Sequence, residues 1–318
     1  MTDWLLSAIG LIILLLAGES LVKGAINLSL KLGIPALIIS LTIVAFGTSA
    51  PELIIAINAT LSGTSGIAMG NVVGSNTANI LLVLGLPALL ATLDASKCDT
   101  KMNYFFMIFA TLVFILLASM GSFAPWQGGI LLALLFVYLL NNLKNAREYL
   151  SNVEDTCQTP SSELEQPNPV MVNWKIAALI LLGIFGLPLG ADLLVDGASS
   201  IASSFGISDA VIGLTLIAVG TSLPELATTI VSAFRNRADV AIGNVIGSNI
   251  FNLLGIIGIT AMVGHVAVAP IFLRFDLWVM LVSSLILIPF VLYKVKLTRV
   301  WGFTLTVLYL CYVQFVLM

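Results

Sequence analysis

Glu52 and Glu225 are the side chains in this sequence that most need a chemical reason. Each lies well inside a long apolar run and closes the same short motif, Gly47-Thr48-Ser49-Ala50-Pro51-Glu52 in one place and Gly220-Thr221-Ser222-Leu223-Pro224-Glu225 in the other. A carboxylate at the centre of a membrane-spanning helix costs about 2.5–3.5 kcal/mol or more unless something inside the bundle compensates it. No Lys or Arg falls in either run, so a bound cation is the simplest partner. The proline before each glutamate donates no backbone hydrogen bond, so the carbonyls around Gly47 and Gly220 lose their helical partner. With the hydroxyls of Thr48, Ser49, Thr221 and Ser222, each motif offers one carboxylate, two hydroxyls and released carbonyls, an all-oxygen set suited to hard cations such as Ca²⁺ or Na⁺. Ca²⁺ takes about six to eight oxygens, a number that the two motifs reach only together.

A second pair of motifs follows the first. Ser75 and Asn79 stand four residues apart, as do Ser248 and Asn252, so each pair shares a helical face. Asn71, Asn76, Asn244 and Asn249 add amides on neighbouring faces. Amide and hydroxyl oxygens bind a cation without adding charge, while the glycines at 70, 74, 243 and 247 have the spacing that lets membrane helices approach closely. Taken singly, Gly, Ser, Thr and Asn inside spans are as often packing and interhelical hydrogen-bonding residues. Glu19, Lys23, Asp192 and Asp196, nearer span ends, read as snorkelling or locally paired groups. His265 and the cysteines Cys98, Cys157 and Cys311 read as structural.

The elements that must position these residues are membrane helices. Of 318 residues 59% are hydrophobic and only 9% charged, against about 25% charged in a soluble domain. Apolar runs near 4–22, 34–60, 67–93, 103–120, 126–142, 174–203, 207–233, 240–264, 275–293 and 300–317 predict ten transmembrane helices. The first has no basic stretch before it and no small-residue cleavage site after it, so it reads as a retained span. With the N-terminus outside, Lys23, Lys31, Lys97, Lys101, Lys144, Arg147, Lys175, Arg235, Arg237, Lys294, Lys296 and Arg299 fall in cytoplasmic connections, and only Arg274 falls outside. Both termini then face outward. The basic residues form no nucleic-acid-binding cluster, one histidine cannot build a His-rich metal centre, and no cofactor or protein partner is implied beyond the lipid bilayer.

Sliding the chain against itself by 173 residues aligns both motif pairs and matches 25 of 62 positions between 18–79 and 191–252 without a gap. Five spans is an odd number, so the second copy enters the membrane inverted. The expected architecture is an all-α membrane protein of two inverted five-helix repeats: 1–142 with motifs at 45–79, a cytoplasmic linker at 143–173, and 174–318 with motifs at 218–252.

On these residues the chain resembles the sodium/calcium exchanger family of the calcium/cation antiporter superfamily, over nearly its full length and with the short linker of prokaryotic-type members. The resemblance implies a multi-pass protein of a prokaryotic inner (plasma) membrane that exchanges Ca²⁺ for Na⁺ by alternating access, with spans one and six moving against the rest. It also implies the ion ligands. From the first repeat these are Ala45, Thr48, Ser49, Glu52, Ser75 and Asn79, and from the second Ala218, Thr221, Ser222, Glu225, Ser248 and Asn252. Thr48, Thr221, Ala45 and Ala218 would act through backbone carbonyls. Some members have aspartate where this chain has Asn79 or Asn252, and potassium-dependent relatives resemble that acidic pattern, so two asparagines imply K⁺-independent exchange. A Ca²⁺/H⁺ antiporter of the same fold is the alternative, disfavoured by the many hydroxyl and amide ligands that a proton carrier does not need. A cation channel fits an occluded two-copy site less well. A membrane enzyme lacks a nucleophile and base pair, a His cluster and a phosphate loop.

Overall fold

Apolar sequence folds here almost entirely as helix, since a lipid environment leaves backbone polar groups no partner but one another. The computed structural model describes residues 2–94, 100–155, 171–205 and 218–316. The start of the seventh expected span (207–217), the linker centre (156–170), Lys97, Cys98 and Cys157 lie outside them.

The first repeat contains α1 (Thr2–Leu32), α2 (Ala36–Thr48), α3 (Ala50–Leu61), α4 (Ser65–Leu90), α5 (Lys101–Ala118) and α6 (Pro125–Asp155). α2 and α3 together make the second span, bent by 42° at Ser49. The second repeat contains α7 (Asn173–Ser204), a helical turn at Ala218–Gly220, α8 (Leu223–Phe234), α9 (Ala238–Val263), α10 (Phe272–Leu292) and α11 (Arg299–Val316). Among the described residues, eight helices are long and apolar enough to cross a membrane, or nine counting the bent pair. α8, with the helical turn before it, is the described part of the seventh expected span.

Two helices run further than the apolar pattern predicts. α1 continues to Leu32, because the first residues that stop it are Gly33, with φ +66°, and Pro35. Lys23 therefore lies inside the first helix and not in a connection. α6 continues to Asp155 through the first part of the expected linker, where no Gly or Pro interrupts it and Lys144 pairs with Glu148 one turn on at 3.6 Å. Hydropathy alone does not register a polar continuation of an apolar helix.

α4 and α9, which carry the Ser/Asn motifs, are buried along nearly their whole length, whereas the other spans turn large apolar side chains such as Phe105, Phe136 and Phe185 outward. Most buried apolar residues of α3–α6 and α8–α11 form one continuous core. α1 and α7 pack antiparallel against each other in a separate cluster with Ile39, Val44 and Ala227. Their seam is close at Gly190, where an added Cβ would sit 2.7 Å from the Leu14 nitrogen.

Two short links tie connections together. β1 (Ser122–Phe123) pairs antiparallel with β2 (Val266–Ala267), joining the connections after spans four and eight. Leu93 bridges Leu297, and Lys296 pairs with Asp94 at 2.9 Å, joining the connections after spans three and nine. The hydropathy reading puts the first two connections on one face and the other two on the opposite face, and each link joins connections of the same face.

Candidate cation site

Both second-element breaks have the same local cause and the same shape. Ser49 (φ −87°, ψ 4°) precedes α3 and Ser222 (φ −91°, ψ 4°) precedes α8, with Pro51 and Pro224 in the first positions of the new helices. Glu52 and Glu225 thus stand in the first turn of a half-helix, where backbone N–H groups leave a partial positive charge that favours a carboxylate. The sequence gives the prolines but not this placement at a helix N-terminus.

The two copies interleave. Ser49 Oγ donates to Glu225 Oε1 at 3.1 Å, so the first motif reaches the carboxylate of the second. Ser75 Oγ and Ser222 Oγ are 3.2 Å apart, and Thr48 Oγ1 and Ser248 Oγ 3.4 Å. Asn79 Nδ2 donates to Asn249 Oδ1 at 3.0 Å, while Asn76 Nδ2 donates to the Asn249 carbonyl at 3.2 Å and Asn249 Nδ2 to the Asn76 carbonyl at 3.4 Å. Every one of these bonds crosses from one repeat to the other.

The buried polar atoms are incompletely satisfied. Glu52 and Glu225 are both 0% exposed, yet both carboxylate oxygens of Glu52 and Oε2 of Glu225 have no hydrogen-bond partner among the described residues. The same holds for Asn79 Oδ1 and for both amide atoms of Asn252, which lies in a π-turn at Phe251–Ile256. Buried polar groups are normally paired, so a cluster of bare oxygens around two carboxylates is chemically a receptor for a positive charge.

Ten of the twelve expected ligands lie in or beside this cluster. Thr48, Ser49, Glu52, Ser75, Asn79, Ser222, Glu225, Ser248 and Asn252 are buried, and Thr221 lines the adjoining cavity. The Ala45 carbonyl already accepts the Ser49 N–H at 3.1 Å and the Thr48 hydroxyl at 3.3 Å. Ala218 falls in the helical turn before the second break. Thr228 escapes sequence reasoning: it donates to the Glu225 carbonyl at 2.9 Å and accepts from Asn244 Nδ2 at 3.0 Å. Its equivalent by the 173-residue shift is Ile55, so the repeat gives no signal for it.

A cavity of about 310 Å³ adjoins the cluster between α7 and α3, lined by Pro51, Ile55, Asp192, Asp196, Thr221 and Pro224 among others. The equivalent region between α1 and α8 is closed. A Cβ added at Gly18 would lie 3.4 Å from the Ala227 backbone, and Arg235, just past α8, forms an ion pair with Glu19.

Comparison with known proteins agrees with this arrangement. The sequence profile of the sodium/calcium exchanger protein family matches residues 2–144 and 175–318. The inner membrane protein YrbG of Escherichia coli is 36% identical over 282 residues, covering 87% of this chain and 85% of that protein. The sodium/calcium exchanger MaX1 of Methanosarcina acetivorans is 31% identical over 340 residues, covering 98% and 97%. A structure of the sodium-calcium exchanger NCX_Mj soaked with Na⁺ and Sr²⁺ superimposes with a TM-score of 0.82 at 30% identity, covering 99% of this chain and 98% of that one. The chain belongs to the sodium/calcium exchanger family.

Proposed function

We propose that this family member is a secondary active antiporter that exports Ca²⁺ as Na⁺ enters, without need of K⁺, through one site shared by its two repeats. The observation that carries the reading is the set of three carboxylate oxygens, buried and unpartnered among the described residues, at two facing half-helix N-termini. Two ionised carboxylates carry a charge of −2, which one Ca²⁺ or two Na⁺ neutralises, so the ions compete for the same oxygens and their fluxes are coupled. Thr48, Ser49, Ser75, Asn79, Thr221, Ser222, Ser248 and Asn252 complete the ligand set with the carbonyls of Ala45 and Ala218. Ala45 joins by giving up the bond from the Thr48 hydroxyl.

The units are 1–142 and 174–318 joined by the cytoplasmic segment 143–173, in a prokaryotic inner membrane with both termini outside. In that orientation the α7–α3 cavity opens outward and the closed α1–α8 contact faces the cytoplasm. α1 and α7, packed mainly on each other, move together across the remaining helices to exchange the open and closed sides. Ca²⁺ then meets the glutamates from one side at a time.

Uptake of ⁴⁵Ca²⁺ into proteoliposomes with Na⁺, K⁺ or H⁺ gradients imposed in turn tests the chemistry. Uptake is expected with an outward Na⁺ gradient alone and is expected to be indifferent to K⁺; uptake driven by H⁺ would replace Na⁺ exchange with proton exchange. Orientation is tested at Leu61 and Phe234, which are equivalent positions, 66% and 64% exposed. In a background without native cysteines, Leu61→Cys is expected to react with an impermeant thiol reagent from outside and Phe234→Cys only from the cytoplasm. Reaction of both from one side would rule out the inverted topology.

A further inference from the structure

We propose that Asn249 is a positioning residue that turns the carboxamide oxygen of Asn79 toward the transported cation; this rests on the reading of Asn79 as a ligand. Asn249 is not itself one of the ligands assigned above. Its side chain lies where α4 and α9 cross, 2% exposed, and reaches Asn76 and Asn79 on the opposite repeat.

The orientation of the amides follows from donor and acceptor chemistry. One end of the Asn249 carboxamide faces the Asn76 carbonyl, 3.4 Å away. A carbonyl only accepts, so that end is the N–H₂ and the other end is the oxygen. The oxygen meets Asn79 at 3.0 Å and requires a donor there, so Asn79 presents its own N–H₂ to Asn249. Asn79 Oδ1 then points the other way, buried and without a partner among the described residues. Ser75, one turn earlier on the same face, meets Ser222 at the second helix break, so that face is the one turned to the site. An asparagine free to flip would present nitrogen, which repels a cation, as readily as oxygen. Asn249 removes that ambiguity.

Among the described residues, the second repeat lacks this arrangement. Asn76, the equivalent of Asn249, likewise donates its amide to a backbone carbonyl across the crossing, at 3.2 Å. Among the described residues, however, its oxygen has no partner, and Asn252, the equivalent of Asn79, makes no bond with either amide atom. Among the described residues, one amide of the pair has an orienting partner and the other has none.

The test is a double-mutant cycle read as KM for Ca²⁺ in Na⁺-driven uptake, with thermal melting in ion-free buffer as the folding control. Groups that orient metal ligands typically contribute ten- to a hundredfold to affinity. Asn249→Ala is therefore expected to raise KM about tenfold with little change in maximal rate, and to add nothing further in an Asn79→Ala background. Asn76→Ala, which breaks the reciprocal backbone contact but leaves Asn79 its acceptor, is expected to lower the melting temperature while KM stays as in the parent. If Asn249→Ala fails to fold, Asn249→Ser is read in the same cycle, since its hydroxyl is too short to reach Asn79. An unchanged KM in a folded Asn249 variant, or equal rises in KM with and without Asn79, overturns the positioning role. If Asn79→Ala itself leaves KM unchanged, Asn79 is not a ligand and the site assignment fails with it.

Discussion

The two interfaces beside the glutamates come from equivalent sequence and are built differently. Between α1 and α8, Gly18 lies against the Ala227 backbone, Val22 is fully buried, and Glu19 pairs with Arg235. A shift of 173 residues converts these to Ala191, Ile54, Val195, Asp192 and Ser62. There Ala191, Asp192 and Val195 line a cavity and Ile54 is 61% exposed. The glutamates differ correspondingly: Glu225 holds the Ser49 hydroxyl, whereas neither carboxylate oxygen of Glu52 has a partner among the described residues. A duplicated sequence in one chain can thus occupy two unlike packings at once. Under the alternating access proposed above, the closed interface is the form the open one takes when the two exchange roles.

The sharpest way to break this comparison is at the carboxylates. Glu52→Gln and Glu225→Gln each leave one negative charge against a divalent ion, and each is expected to abolish Ca²⁺ uptake although, among the described residues, only the Glu225 carboxylate has a hydrogen-bond partner. Their melting temperatures should stay near the parent value, because glutamine fills the same volume. Near-normal ⁴⁵Ca²⁺ flux in either variant would remove the paired-carboxylate site.

The next test fixes one packing in place. A Cβ at Gly18 would lie 3.5 Å from Ala227 Cβ, within the separation that a disulfide spans. Gly18→Cys with Ala227→Cys, in a background lacking Cys98, Cys157 and Cys311, is expected to cross-link on oxidation, stop transport and recover on reduction. The equivalent pair, Ala191→Cys with Ile54→Cys, should cross-link only when ions drive turnover, as that interface closes in the other state. Rapid cross-linking of both pairs at rest would show that the resting protein has no preferred side.

The smallest effect belongs to the ion pair. Arg235→Ser gives the closed side the residue found at the equivalent position 62 and removes a half-exposed pair worth about 0.2–1 kcal/mol. The cytoplasm-open population should rise up to about fivefold, read as faster labelling of Val22→Cys from the cytoplasmic side. Unaltered labelling would mean that the Glu19–Arg235 contact has no part in setting the resting state.

The fold was legible where one strong physical rule acts alone. Long apolar runs, two prolines each before a glutamate, and a gap-free internal repeat lead to membrane helices, broken spans and a shared oxygen-rich site. Three kinds of feature were not legible. The polar extensions of α1 and α6 are invisible to a reading that counts apolar residues. The Glu19–Arg235 pair joins side chains 216 positions apart, which no local pattern signals. The inequality of the two copies is hidden by the repeat itself, since 25 shared identities argue for sameness while the packing differs. Thr228 belongs to this third kind, a hydroxyl serving Glu225 where the other copy has Ile55.

The reciprocal contact of Asn76 with Asn249 has a further consequence. Each residue donates its amide to the backbone carbonyl of its counterpart in the other repeat, so the bond pair sits on the axis relating the halves. In assemblies of identical subunits such a self-matching contact is isologous: the same patch recognises itself, and the assembly closes at two members. The α4–α9 crossing is therefore a dimer interface contained within one polypeptide. The contacts on its axis come from α4 and α9 themselves, one from each half.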